Sequence, residues 1–343
     1  MTVLPPDDKA KVAEDIKVIL QRGDGRIWIN KEEGTYQYPY KTYLVSNVLV
    51  DPSCSPVLLN LFPALDAWIA SPKSLVLTDT FHSTHLSDLY VTLPTRGGTR
   101  GRPPSPPVEG TPLGYGHHLV FFHPRNPEAL LRTDGTGADF CPPEPFARRM
   151  WAGGTMTWNR DGELKVGEKA TAVSTVAKVE KKGFEVGKPM VFVNQRIQVT
   201  LEGRNEHASA KHFYGGRCCG LCVNVPKSEF PFSYTPTSTT LFRFSALRFN
   251  GHHIHLDKDY AQKIEGYPER LVHGPLTALM LLETLIHHRP RTQLRTFTYR
   301  AHNPMIASCA ATIHGAIVSK DKAELWCESN GVVGMTDIVQ FDE

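Results

Sequence analysis

The sequence predicts an α+β protein built as two like halves, each a curved antiparallel sheet wrapped on a helix. Three observations predict it. From Thr155 to about Glu202 the stretches TMTWN, ATAVSTVAKVEKK and KPMVFVNQRIQVTLEG carry β-branched residues in partial alternation, which suits long antiparallel strands. A short helical piece precedes them, an order that implies a sheet folded over a helix. The same order returns in the second half, where an apolar helix over 276–286 is followed by strand-like runs at 294–300, 305–318, 322–329 and 332–341. Only the element order repeats. Two such units pairing edge to edge form a pseudo-dimer and hide their sheet edges.

The remaining elements follow in order. Residues 1–24 read as an amphipathic helix with Val12, Ile16, Val18, Ile19 and Leu20 as its apolar set, stopped by Gly23-Asp24-Gly25. Residues 41–50 suit a strand, and 55–70 a second helix, kinked or divided at Pro63. Residues 75–93 suggest one or two short extended pieces. The stretch 94–114 is a loop by its proline, glycine and serine content, either a surface linker or a place where Arg96, Arg100 and Arg102 meet a phosphate-bearing cofactor. HHLVFFH at 117–123 reads as a buried strand. Residues 203–227 read as an irregular connector whose Cys218, Cys219 and Cys222 make only half a zinc motif. Leu241–Leu247 reads as a short strand. The expected division is 1–215, comprising an N-terminal extension, the proline-rich loop and the first half, and 216–343 for the second.

Composition bounds the function. A chain of 343 residues with 41% apolar content holds real cores. A net charge of +3 makes no case for nucleic acid or an anionic membrane surface. No apolar run approaches the roughly 20 residues needed to span a bilayer. Seven cysteines, an odd number, do not suggest a disulfide framework. The N-terminal segment has no apolar signal core, its acidic residues argue against a transit peptide, and the C-terminus is not a peroxisomal address. The expectation is a reduced, cytoplasmic protein, with a mitochondrial location left open.

The chemistry concentrates between Ser245 and Leu285. There a polar turn, Asn250-Gly251-His252-His253-Ile254-His255-Leu256-Asp257, is followed by His273-Gly274-Pro275 opening the apolar helix. A helix N-terminus offers free N–H groups to an oxygen taking up negative charge, and an imidazole moves protons at neutral pH. Pro275 fits the first helical position and Gly274 the N-cap. His252, His253 and His255 could also be taken for a metal cluster, but adjacent histidines diverge on a strand, and no metal or cofactor is expected. Asp257 either caps the following segment or orients His255.

These residues carry a resemblance. Phe244-Ser245-Ala246-Leu247, Phe249-Asn250, His252, Ile254-His255 and Asp257, then Glu265-Gly266-Tyr267-Pro268 and Val272-His273-Gly274-Pro275-Leu276, resemble the double-hotdog branch of the MaoC-like hydratases and dehydratases. That branch includes the mesaconyl-C4-CoA hydratase and fungal 3-hydroxyacyl-thioester dehydratase types. Pro142-Pro143 and Pro145 with Arg148-Arg149-Met150-Trp151-Ala152-Gly153-Gly154, Phe297, Tyr299-Arg300-Ala301 and Pro304, and Gly331 with Gly334-Met335, extend the likeness over roughly 110–341.

The resemblance implies a double hotdog fold and a hydro-lyase working at the α,β position of an acyl thioester. In the single-domain pattern of the family an aspartate and a histidine stand five apart in the catalytic turn. The histidine falls on His255 and the aspartate on Asn250, a departure from that pattern. An asparagine cannot titrate, but its amide can hold a hydroxyl or water. The expected catalytic set is therefore His255 as acid and base, Asn250 as oxygen holder and the Gly274 N–H as donor to the thioester oxygen. His252, His273, Arg148, Arg149 and Trp151 are the expected substrate-binding residues. The two arginines are either surface charges or contacts to a carrier phosphate. The expected partner is a small molecule, bound to CoA, to a carrier protein or to neither, and pairing with a second copy is left open. Two other readings stand beside this one. One is a tailoring dehydratase, isomerase or cyclase of polyketide-like secondary metabolism acting without CoA. The other is a hotdog binding module without catalysis.

Overall fold

The computed structural model describes residues 55–99, 103–146, 148–159, 163–184, 189–202, 207–214 and 223–342. The expected helix at 1–24, the strand at 41–50, Arg100, Arg102, the Cys218–Cys222 cluster and the division at 215/216 lie outside them. In chain order the elements are α1 (Ser55–Ala70), β1 (Ser74–Thr80), α2 (Ser83–Thr92), β2 (Trp151–Thr157), β3 (Lys169–Lys182), β4 (Met190–Leu201), β5 (His207–Tyr214), β6 (Phe230–Tyr234), α3 (Ser238–Leu247), α4 (His253–Leu256), α5 (Gly274–His288), β7 (Gln293–Ala301), β8 (Ala311–Ser319), β9 (Lys322–Ser329) and β10 (Val332–Asp342).

The ten strands form one sheet in the order β1-β3-β4-β5-β2-β7-β10-β9-β8-β6. Every pairing is antiparallel. Replacing β1 to β5 by β6 to β10 turns the first five-strand order into the second, read from the other edge. The two halves meet where β2 runs against β7, with Gly154 opposite Tyr299 and Met156 opposite Phe297. Each half thus closes one edge of the other, as the two-unit double hotdog requires.

The core sits beneath this sheet. Helix α5 is buried at every position from Pro275 to Leu285 and packs on β8, β9 and β10. A helix apolar all round has no solvent face, which is why it fills the interior rather than lying on the surface. Leu276, Leu279 and Met280 of α5 join Phe297, Ile313, Leu325 and Val339 of the strands in one cluster that also takes in Phe81, Leu86 and Leu89 of the first half. The halves are not equal. Between α2 and β2, the described residues hold no helix longer than the four-residue 3-10 turn His117–Val120. Irregular chain covers α5 there instead.

That chain is pinned by a buried charge. Glu283 of α5 accepts hydrogen bonds from Arg96 Nε (2.7 Å) and Nη2 (2.9 Å) and from Thr95 Oγ1 (2.9 Å), and lies 2.8 Å from His117 Nε2. Arg96 also lies over the Tyr90 ring at 4.5 Å. Burial pushes the Glu283 carboxyl up, but Arg96 and His117 outweigh it and hold it well below the usual range. Arg96 is therefore neither a linker charge nor free for a phosphate.

Four expected elements differ. His117–Val120 forms a 3-10 turn and 121–123 irregular chain rather than a strand: Gly116 at φ 80° starts the turn, and so short an apolar run has no periodicity to separate the two. Leu241–Leu247 belongs to a helix, α3, capped by a reciprocal Thr237–Thr240 box whose threonine at N3 replaces the usual Glu or Gln. Residues 75–93 are one strand and one helix. The connector after Glu202 contains β5, which pairs with both β4 and β2. Helix α1 runs through Pro63 without division, and no described helix is long and apolar enough to cross a membrane.

Replacing Glu283 by Ala is expected to cost about 3 kcal/mol, the lower end for breaking a buried pair because Arg96 is 26% exposed. In the wild type the Glu283 contribution is complete above the ordinary carboxylate value of about 4.3 and is lost as pH falls toward its depressed folded value. Urea unfolding of both proteins at pH 7 and at pH 4 checks this, the difference between them shrinking at the lower pH.

Candidate active site

The site forms where the histidine turn meets the entry to α5. Asn250 starts the turn: its Oδ1 accepts the His252 backbone N–H at 3.1 Å, so the side-chain NH2 is left as the outward donor. Phe249, at φ 46°, reverses the chain just before it. The turn itself is helical, His253–Leu256, not extended. Ile254 is its buried anchor, packed with Tyr267 and Leu271. His255 then points back toward the segment leading into α5.

His255 Nδ1 lies 2.8 Å from the Leu271 carbonyl oxygen. A carbonyl only accepts, so Nδ1 carries the proton and Nε2 keeps its lone pair. The ring stacks on His273 at 3.7 Å between centroids and 23° between planes. His273 is the N-cap of α5, and its Nε2 lies 2.8 Å from Ser245 Oγ of α3. Burial pushes His255 down to about 3, helped by His252 and Arg248 and opposed by the Leu271 carbonyl. Burial also holds His273 well below its usual value, with His255 second. Both stacked rings are neutral at pH 7.

Gly274 is the first residue of α5 and Pro275 the second, one position later than expected. The first helical hydrogen bond runs from Thr277 N–H to His273 O at 3.1 Å. The Gly274 and Leu276 N–H groups precede it and have no intrahelical acceptor. Trp151, the first residue of β2, packs against Gly274: a Cβ there would lie 3.1 Å from Trp151 Cβ and 3.2 Å from Cγ. Trp151 also stacks on Tyr299 at 6.2 Å, and Arg248 lies over its ring at 5.6 Å.

The structure thus brings His255, His252, His273, Gly274 and Trp151 together, with Asn250 at the root of the same turn. Arg148 and Arg149 are differently placed. Arg148 pairs with Glu265 at 3.1 Å and is 51% exposed. Arg149 Nη1 reaches the Asp139 carbonyl at 3.4 Å and Cys141 Sγ at 3.7 Å. Asp257 accepts the Tyr260 N–H at 3.0 Å and so caps the π-helical turn Tyr260–Ile264. Among the described residues no group of three or more His, Cys, Asp or Glu could hold a metal ion.

Three residues beside the site have no role in the sequence reading, although Ser245 stands in the motif that carries the resemblance. Arg248 projects its charge onto His255 and His273 from the end of α3. Ser245 holds His273. Asp134 comes from the first half, where its carbonyl accepts the His253 N–H at 2.9 Å and its Oδ2 lies 3.9 Å from His252 Nε2. The Asp134-Gly135 pair is a recognisable turn signal, but a turn signal says nothing of what the turn touches.

Residues 116–307 match the model of the hydroxyacyl-thioester dehydratase type 2 family. The chain belongs to this family. Among relatives of this dehydratase-family chain, the mesaconyl-C(4)-CoA hydratase of Chloroflexus aurantiacus is 34% identical over 213 residues, 59% of this chain and 75% of that one. The mitochondrial hydroxyacyl-thioester dehydratase type 2 of Schizosaccharomyces pombe is 27% identical over 223 residues, 57% of this chain and 74% of that one. A MaoC-like dehydratase from Phytophthora capsici superposes with a TM-score of 0.53 at 14% identity, covering 80% of this chain and 98% of that one. That last likeness concerns the fold alone, and it is the hotdog fold. In this family member the histidine turn and the start of α5 both fall inside the matched segment.

Gly135 tests how tightly the turn is seated. Its φ is 79°, and a Cβ on it would lie 2.2 Å from the Gly251 carbonyl oxygen. Gly135→Ala is expected to cost about 1–3 kcal/mol and to displace the turn. A lowered melting temperature with changed histidine ring resonances in NMR spectra checks it; a melting temperature equal to wild type counts against the close seating.

Proposed function

We propose that the protein is a hydro-lyase that adds water to, or removes it from, the α,β position of an acyl thioester, with His255 as the proton-transfer residue. Family membership carries the reaction class. The single observation that carries the residue is the hydrogen bond from His255 to Leu271 O, which fixes the tautomer with Nε2 as the base.

In the dehydration direction Nε2 takes the α-proton of a 3-hydroxyacyl group, and charge builds on the thioester oxygen. The Gly274 N–H, at the positive end of α5, faces that oxygen; one such donor is worth roughly 3 kcal/mol. The Asn250 NH2 group holds the β-hydroxyl. The imidazolium formed at His255 then returns its proton to that hydroxyl, which leaves as water, so the histidine ends in its starting state. Hydration is the same path reversed. The low proton affinity of His255 makes its imidazolium a strong acid, suited to protonating a poor leaving group, while the base step leans on stabilisation of the thioester oxygen. Trp151, His252 and His273 line the approach. Arg148 and Arg149 contact the carrier's phosphate, which for Arg148 requires exchange of its exposed Glu265 pairing.

His255→Ala is expected to lower kcat/KM on a 3-hydroxyacyl- or enoyl-CoA by about a hundredfold or more. Binding of the thioester raises the melting temperature of both wild type and variant. Activity retained by the variant would remove His255 from the mechanism. A wild type without thioester turnover or thermal shift would remove the reading itself.

The pH profile follows from the depressed proton affinity. His255 must be neutral to start, so activity is lost as pH falls through its value of about 3 rather than near the usual 6.5. The profile of kcat/KM is expected to stay flat from pH 7 to about pH 5, as far as the fold survives. An acid limb centred near 6.5 would contradict this.

A further inference from the structure

The proposed reaction leaves a charged group beside the site without a task. Asp134 lies in the first half, in a turn closed on itself by hydrogen bonds from Arg132 N–H to Thr136 O and from Gly135 N–H to Arg132 O, both 2.8 Å. One carboxylate oxygen is fixed: Oδ1 accepts the Thr136 N–H at 2.9 Å and the Thr136 hydroxyl at 2.7 Å. The other, Oδ2, faces His252 Nε2 at 3.9 Å, and the two side chains are only 13% and 16% exposed. The His253 N–H donates to Asp134 O, and Gly135 meets the Gly251 carbonyl too closely for any side chain. Two backbone contacts and the approach of the Asp134 carboxylate to the His252 ring therefore seat this turn on the histidine turn of the other half.

We propose that Asp134 is the positioning residue of the histidine turn, its carboxylate setting the orientation of His252, whose ring stands edge-on to His255 at 5.3 Å. The inference rests on the reading of His255 as the proton-transfer group. Asn250 supplies no charge to the turn. Asp257 is exposed and occupied as a cap. The negative charge beside the histidines comes from Asp134 across the junction between halves.

His252 is faced by Asp134 and Arg132 from that turn, by Arg149 ahead of β2, and by His253 and His255 from its own. Burial holds His252 down to about 4; Asp134 raises its proton affinity, and Arg149, His253 and Arg132 lower it. Burial raises the Asp134 carboxyl, but the two Thr136 hydrogen bonds outweigh it, so Asp134 stays ionised. No proton passes to it. With Asp134 neutral, the negative charge that stands 3.9 Å from His252 Nε2 is removed.

The test is a titration of 15N-histidine-labelled full chain by NMR, with kinetics alongside. In Asp134→Asn the His252 resonance is expected to titrate at lower pH than in wild type, with changed ring-nitrogen shifts, and Asp134→Glu is expected to restore part of both. Thr136→Val frees Oδ1, keeps the charge and gives a smaller change. The asparagine variant is expected to lose about tenfold or more in kcat/KM, the scale of a misplaced reacting group. Unchanged His252 titration and ring shifts in Asp134→Asn overturn the proposal, whatever the activity. If that variant does not fold, an unmoved His252 in Thr136→Val overturns it equally. Should the resonances shift as expected while wild type turns over no thioester, the pairing stands and the hydro-lyase reading falls.

Discussion

The bond from His255 Nδ1 to the Leu271 carbonyl ties together two parts of the second half that the chain makes separately. One is the short helical turn after α3; the other is the extended segment that delivers the chain into α5. Leu271 N–H in turn donates to Ile254 O at 3.0 Å, so the two segments exchange hydrogen bonds on either side of His255. Val272 is held from behind by Met305 O at 2.8 Å. The imidazole, its tautomer and the first residue of α5 are consequently positioned by one small ladder. A shift of the turn moves the base and the helix start relative to each other at once.

Much of this was legible in the residues. The apolar stretch Leu276–Ile286 could only be a core helix, and Gly274-Pro275 could only be its beginning, although the cap is His273. The β-branched runs marked β3, β4, β7, β9 and β10 within about two residues, whereas β8 begins at Ala311 rather than at 305. What escaped was decided by tertiary contact. In HHLVFFH the buried residues His117, Leu119, Val120 and Phe121 follow neither a strand nor a helix period. α3 has Leu241, Phe244, Ser245 and Leu247 buried, a set that fits a strand end or a helix face equally. Asp134 was illegible in a stronger sense: it lies more than a hundred residues from His252, and nothing local in Arg132–Thr136 distinguishes a surface turn from one seated on a reactive one.

The asymmetry of the halves explains where the site can be. The sheet order repeats strand for strand, yet among the described residues only the second half has a long helix between its first two strands. Where the first half would place its own, the described residues between α2 and β2 hold no helix longer than the 3-10 turn His117–Val120. That chain covers α5 through the Arg96–Glu283–His117 network and covers the histidine turn through Asp134 and Gly135. A second long helix would bury its apolar faces and fill the space.

This arrangement carries a cost that locates the weak points. The covering chain contributes Leu119, Val120 and Phe121 to the core, and its polar hold on α5 runs through a charged Glu283. The histidines need the opposite condition. Their proton affinities are low because they are buried, and a protonated His252 or His273 would place a positive charge against His255 and against Arg248. Acid therefore attacks twice, by charging the buried rings and, lower still, by neutralising Glu283, whose carboxyl Arg96 and His117 hold well below the usual range.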